Sequence, residues 1–230
     1  MVGFQVLQRQ AFASSADVER FRSLPVANIS DAMNRLSGGG AGLRPLHRQG
    51  LLIGPALTVR TRPGDNLMVH KAFEMVVPGD VVVIDAGSDL TNALIGEMMI
   101  DYVRRKGAAG VVVNGAVRDL AAISAGEFPV FAAGVTHRGP YKDGPGEVNV
   151  PVSIGGMLVN PGDLVIGDDD GLITVALADI DVVHAAASAK FAAEQAQMEK
   201  IAAGTIDKSW IDAQLIAMGC PGVEKRTDAA

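Results

Sequence analysis

The chain has 230 residues, 48% hydrophobic and 20% charged, with 27 glycines and 11 prolines, a mixture that excludes disorder, collagen and coiled coil as its main state. The net charge is −6 and the longest basic block is Arg104-Arg105-Lys106, so the basic face of a general nucleic-acid binder is missing. Cys220 is the only cysteine, which excludes an intrachain disulfide and a thiolate metal cluster. No apolar run approaches the roughly 18 residues of a membrane span, and Met1–Gln10 lacks the regions of a signal peptide. These features predict a soluble, cytoplasmic protein forming one α/β domain over 1–230.

Ser14, Ser15 and Asp17 predict the start of a short helix running to Arg22, and Asn28-Ile29-Ser30-Asp31 the start of a second toward Leu36. Four glycines make Ser37–Gly42 a loop. Leu51–Arg62 reads as a strand with a break at Gly54-Pro55, and Asn66–Val76 as a helix. Asp80–Asp85 is nearly all apolar, the pattern of a strand covered on both faces. Ala93–Lys106 is the clearest amphipathic helix, with Ile95, Met99, Tyr102 and Val103 on one face and its basic residues at the C-terminal end. A strand follows at Val111–Val113, then a short helix from Asp119. Further strands are predicted near Pro129–Ala133, Val148–Ser153 and Leu164–Val175, the last folded at an Asp168–Gly171 hairpin turn. Asp179–Ala203 is a long Ala-rich helix and Asp207–Met218 a final one. Pro-Gly-Asp recurs at 63–65, 78–80 and 161–163 at unequal intervals, which predicts type II turns rather than a repeat.

No dinucleotide or Walker fingerprint, nucleophile elbow, HExxH pair or EF-hand loop is present. What remains is one juxtaposition. Gly96–Lys106 as a helix covers roughly 15 Å, and four or five strand residues at about 3.3 Å each return nearly that distance. Gly96–Met99 and Gly115–Asp119 should therefore meet at the carboxyl end of a strand, the usual ligand position in α/β sheets. A helix start at Gly96 would turn the free amides of Glu97, Met98 and Met99 toward an anion. Arg118 adds a planar oxyanion donor and Asp119 a hard oxygen ligand of the kind Mg2+ uses. Taken alone, Arg118 and Asp119 read at least as well as a solvated pair capping a short helix.

The run G-E-M-M at 96–99 followed by G-V-V-V-N-G-A-V-R-D at 110–119 resembles the RraA-like family, whose signature is an acidic residue, 20 others, then Arg-Asp; Glu97, Arg118 and Asp119 satisfy it. The resemblance extends through P-G-D-N at 63–66, G-D-V-V-V-I-D at 79–85, V-N-V-P-V at 148–152 and N-P-G-D-L-V-I-G-D-D-D-G at 160–171. It implies a single-domain β/β/α swivelling-type core over about 28–175, with helical N- and C-terminal segments (the latter about 179–218), assembled as a homotrimer or homohexamer. The backbone of Gly96, Glu97, Met98 and Met99 and the side chain of Arg118 would bind a pyruvate-like substrate. Asp119 would bind Mg2+ or Mn2+ directly, Glu97 would hold metal-bound water, and Glu194 would come from a neighbouring subunit. Ala122 stands where many members carry an acid, and Phe191 replaces a common glutamate.

The resemblance implies a metal-dependent (class II) pyruvate aldolase cleaving a 4-hydroxy-2-oxo acid, with oxaloacetate decarboxylation through the same intermediate. Arg118 and Glu97 would be its catalytic residues. Lys71 is the one lysine to consider for the alternative Schiff-base chemistry. The other reading is a non-enzymatic regulator that binds a ribonuclease; family regulators lack the metal-binding Asp, and this chain keeps Asp119. Loops Ser37–Gly42, Asp65–His70 and Thr136–Gly146, with His70, Lys71 and His137, are expected to read the substrate's tail.

Overall fold

The computed structural model describes residues 2–223, and the chain divides after Ser188 into two compact units. The core of the first follows from its valine-rich strands. β4 (Val81–Asp85) and β6 (Gly110–Val117) are buried almost throughout, and because side chains alternate along a strand, each serves two cores. Val82, Ile84, Val111 and Val113 join one apolar cluster, which also receives Met68, Val69, Phe73, Ile100, Val103 and Ile123 from helices. Val81, Val83 and Val112 join the other, with Leu43, Val152, Ile154, Met157 and Leu172. Each such side chain contributes about 1.5–3 kcal/mol on burial, so polar substitution on either face of these strands is strongly destabilising.

Between the two clusters lies the main sheet. β3 (Leu52–Thr61), β4, β6 and β7 (Val130–Val135) pair side by side in parallel. β8 (Gly146–Val148) runs antiparallel on the outer side of β3, and β1 (Phe4–Val6) lies parallel beyond it. β2 (Arg44–Pro45) closes the other edge, and β5 (Ala93–Ile95) pairs beside the end of β6. Helices α3 (Leu67–Glu74), α4 (Glu97–Arg105) and α5 (Leu120–Ala125) supply the first cluster. The second is closed by the hairpin β9 (Val152–Ile154)–β10 (Met157–Val159) and the hairpin β11 (Leu164–Asp168)–β12 (Gly171–Val175). This layering of helices, sheet and a smaller β layer is the β/β/α arrangement that the sequence implied.

Several elements differ from expectation. β3 runs unbroken: at Gly54-Pro55 the strand does not end but changes partners, from β11 over Leu52–Pro55 to β4 over Ala56–Arg60. The helix expected from Ala93 begins at Glu97, because Ala93 and Ile95 are drawn into the sheet beside Ala116 and Val117. Its buried face is accordingly Ile100 and Val103, and Tyr102 is exposed. The second N-terminal helix, α2, is Val26–Ala32, after α1 (Ser15–Phe21); it stops where Asn34 and Arg35 take positive φ. The single strand expected over Val148–Ser153 is split into β8 and β9 at Asn149, also at positive φ, whose side chain donates to Leu7 O. The short strands β1, β2 and β10 carry no pattern strong enough to announce them. The Ala-rich helix is α6 (Ile180–Ala202), which continues into the second unit, and α7 (Ser209–Ala217) follows there.

The three Pro-Gly-Asp segments are turns with Gly64, Gly79 and Gly162 at φ of +75°, +96° and +91°, as position i+2 of a type II turn requires. Their aspartates are buried, which the turn reading did not anticipate.

Candidate active site

The site forms where β5 and β6 end together. The amide of Arg118, just past β6, donates to Ile95 O at 3.0 Å, which sets Arg118 and Asp119 beside Gly96. Asp119 has φ 61° and ψ 40°, the left-handed conformation that Asp tolerates better than most residues. That bend turns its carboxylate back onto the start of α4, where Oδ2 accepts the Glu97 amide at 2.9 Å. Asp119 thus caps a helix, as the solvated-pair reading expected, but its carboxylate does so at the start of α4 rather than at α5, which follows it in the chain. Gly96 permits this approach. A Cβ there would lie 2.3 Å from Asp119 Oδ2 and 2.8 Å from Arg118 Cγ, so any side chain would displace the pair.

Of the three amides expected to be free, two are engaged: Glu97 on Asp119, and Met99 on Gly96 O at 3.1 Å. The positive end of α4 therefore already holds a carboxylate. Arg118 Nε stands 3.8 Å from the same oxygen, and the two side chains keep 45% and 43% of their exposure. Both are available to a ligand.

A cavity of about 180 Å³ opens at this point, walled on one side by Gly96, Met98, Met99, Arg118 and Asp119 and on the other by Asn66, His70, Pro140 and Lys142. Two of the loops expected to read a substrate tail, Asp65–His70 and Thr136–Gly146, thus reach it. Ser37–Gly42 does not: Gly39 N bonds Leu172 O, and Gly40 packs against Gly155, on the opposite β layer. Lys71 turns away to pair with Glu74 at 3.6 Å, and His137 is exposed outside the lining. Burial, and then the neighbouring Lys142 charge, hold the His70 imidazole below its usual pKa against the opposing pull of Glu74, so it is neutral near pH 7. Sequence reasoning missed Asn66 and Lys142. Both fall within the loops Asp65–His70 and Thr136–Gly146 expected to read the substrate's tail, but Asn66 read only as the start of the helix Asn66–Val76 and no sequence signal set Lys142 apart.

Glu97 contributes its amide to Asp119, but its side chain lines a different feature, an open groove of about 700 Å³ that also contains Arg48, Asp101, Arg104 and Ala122. The two positions singled out as departure and signature, Ala122 and Glu97, therefore share one surface. Glu194 lies in the second unit, with Lys190 Nζ at 3.4 Å.

Among the described residues no three His, Cys, Asp or Glu side chains converge as a metal cage. The donor set that is present suits a different kind of cation site. Asp119 Oδ1 makes no hydrogen bond among the described residues, and the side chain keeps 43% of its exposure. A single accessible carboxylate fits Mg2+ or Mn2+, which commonly take one or two carboxylates and fill the rest of their shell with water and substrate oxygens.

Residues 26–174 match the RraA-like family model, described as Aldolase/RraA. A relative from Halalkalibacterium halodurans, provisionally named a 4-hydroxy-4-methyl-2-oxoglutarate aldolase, is 40% identical over 184 residues, 80% of this chain and 88% of its own. Streptomyces coelicolor RraAS2, described as an unusual member of the RNase ES inhibitor RraA family, superposes with a TM-score of 0.73 at 27% identity, covering 84% of this chain and 98% of its own. The RNA-processing inhibitor RraA from Thermus thermophilis does so with a TM-score of 0.61 at 31% identity, over 66% of this chain and 92% of its own.

Proposed function

The chain belongs to the RraA-like family, and from that premise we propose that it is a divalent-metal-dependent lyase that cleaves a 4-hydroxy-2-oxo acid to pyruvate and decarboxylates oxaloacetate at the same site. The observation that carries this reading is the accessible Asp119 carboxylate, tied to the start of α4 and flanked by Arg118 in the wall of a cavity, a pair that a Cβ at Gly96 would displace.

Asp119 would hold the Mg2+ or Mn2+, which when bound supplies Lewis-acid polarisation of the substrate's 2-keto oxygen and carboxylate. Arg118 supplies a charged donor where negative charge builds on the keto oxygen as the C3–C4 bond breaks, an electrostatic role that does not need the guanidinium to lose a proton. The Arg118 and Lys142 charges make the cavity favourable for an anionic substrate beside the backbone of Gly96–Met99. In this reading a water held by Glu97, in the adjoining groove, carries the proton. Glu194 would be contributed by a neighbouring protomer of a trimer or hexamer, which light scattering tests directly. Among the described residues no helix is long and apolar enough to cross a membrane.

The test is pyruvate release from 4-hydroxy-4-methyl-2-oxoglutarate and from oxaloacetate, with Mg2+ or Mn2+ and with EDTA. Chelator-sensitive turnover of both is expected, and no turnover of any 2-oxo acid at saturating metal would overturn the proposal. The likeness to the two RraA proteins supports a second reading, a regulator that binds a ribonuclease without catalysis. That reading predicts ribonuclease binding unaffected by Asp119→Asn and no turnover.

A further inference from the structure

Four buried side-chain polar atoms lack a hydrogen-bond partner among the described residues: Arg20 Nε, Asn66 Oδ1, Asn149 Oδ1 and Thr174 Oγ1. Of these residues only Asn66 lines the cavity at Arg118 and Asp119. Asn66 is 1% exposed, and its orientation is set by chemistry: the amide atom 2.7 Å from Leu94 O must be the NH2 group, since an oxygen there would face another acceptor. The same Nδ2 lies 3.4 Å from Met99 Sδ. Oδ1 is thereby left as a buried acceptor with nothing to accept from among the described residues, a state that burial makes unfavourable unless a ligand or water fills it.

The rest of the lining is rich in donors. Arg118 and Lys142 only donate, the Ile95 and Leu94 carbonyls are already occupied by Arg118 N and Asn66 Nδ2, the Asp119 carboxylate is the one assigned to the cation, and a ring nitrogen of His70 is the remaining side-chain acceptor. A 4-hydroxy-2-oxo acid is the complement of such a cavity. Its carboxylates and keto oxygen accept, and its one donor is the C4 hydroxyl. The keto form of oxaloacetate has no donor at all. Resting on the lyase reading above, we infer that Asn66 Oδ1 is the acceptor for the substrate's C4 hydroxyl, and so the residue that favours aldol cleavage over decarboxylation.

In cleavage the C3–C4 bond breaks, its electron pair passes toward the 2-keto oxygen, and the C4 hydroxyl becomes a carbonyl as its proton leaves to solvent water. An amide oxygen is too weak a base to keep that proton. Asn66 orients the O–H and selects for its presence, as buried polar groups reject analogues that leave them unpaired.

The experiment compares two substrates on one protein. Asn66→Leu should lower the ratio of kcat/KM for cleavage of 4-hydroxy-4-methyl-2-oxoglutarate to kcat/KM for oxaloacetate decarboxylation roughly 10–100-fold, the scale of an unmade buried hydrogen bond. Loss of both activities in parallel, or of neither, overturns the inference. Wild-type protein that turns over neither substrate instead rejects the lyase reading on which it rests. A second measurement needs no variant: 4-hydroxy-2-oxobutanoate and 2-oxobutanoate, which differ by that hydroxyl alone, are compared as competitors of oxaloacetate decarboxylation by the wild-type protein. The hydroxylated acid should compete roughly 10-fold more tightly; equal competition overturns the inference even if Asn66→Leu fails to fold.

Discussion

Asp65, Asp80 and Asp163 on the one hand and Asp119 on the other are the same side chain put to opposite uses. The first three close Pro-Gly turns and are buried, each with both oxygens filled by the chain itself. Asp65 accepts the amides of Leu67, Asp143 and Gly144 and the Arg62 guanidinium. Asp80 takes a two-pronged bond from Arg9 at 2.7 and 2.8 Å and the Val77 amide. Asp163 receives Asn160 N, Asn160 Nδ2 and Leu177 N. Asp119 accepts one amide, stays half-exposed, and keeps an oxygen for a ligand. A carboxylate whose lone pairs are met from within ties segments together; one left partly unmet can bind something else.

The largest effect that sharpens this comparison is on stability. Asp80→Ala leaves the Arg9 guanidinium, itself nearly buried, without its partner, and should cost about 3–5 kcal/mol in denaturant unfolding, with activity of the folded fraction intact. Asp119→Asn should reverse that pattern, with a melting curve shifted by no more than about 0.5 kcal/mol. Its kcat should fall roughly 10²–10³-fold, with part of the rate restored by excess Mn2+. Arg118→Lys should lose kcat on the same scale, since it forfeits the planar fork, but excess metal should not restore it. If Asp119→Asn turned over like the parent, the distinction between the two kinds of aspartate would collapse. Gly96→Ala, which drives a methyl into Asp119 Oδ2 and Arg118, should cost about 10²-fold in kcat/KM through misplacement of the pair.

The smallest effect concerns a half-buried aspartate that is likewise met from within the chain. Asp17 and Ser14 form a reciprocal cap on α1, and the Ser14 hydroxyl, more than the nearby Arg20, holds the Asp17 carboxyl below the usual carboxylate range despite some burial. A carboxyl depressed in the folded state stabilises above its unfolded pKa of about 3.9, and this contribution is lost as pH falls through the lower folded value. Ser14→Ala should therefore cost about 1 kcal/mol at pH 7, and the gap between variant and parent should narrow below about pH 4 in acid-unfolding curves.

The sequence by itself determined the layers and the meeting point. Runs such as Val81–Ile84 and Val111–Val113 have no polar face, so they must be covered on both sides, and the rise of helix against strand brings Gly96 and Arg118 to one edge. Local chemistry also suffices for the Pro-Gly turns and the Asp168–Gly171 hairpin, because those conformations depend on neighbouring residues alone. The tertiary structure decided what long-range pairing decides. It made Gly54-Pro55 a change of partner rather than a break, drew Ala93–Ile95 from the helix into the sheet, and sent the Glu97 carboxylate into a groove apart from Asp119. It also separated four similar aspartates into three with every oxygen met and one without, and left Asn66 with an unmet acceptor in the cavity wall. Hydrogen bonds between distant residues, such as Glu97 to Asp119 at 22 positions and Gly144 to Asp65 at 79, carry much of this outcome, and no local pattern of residues encodes which distant donor an oxygen will find.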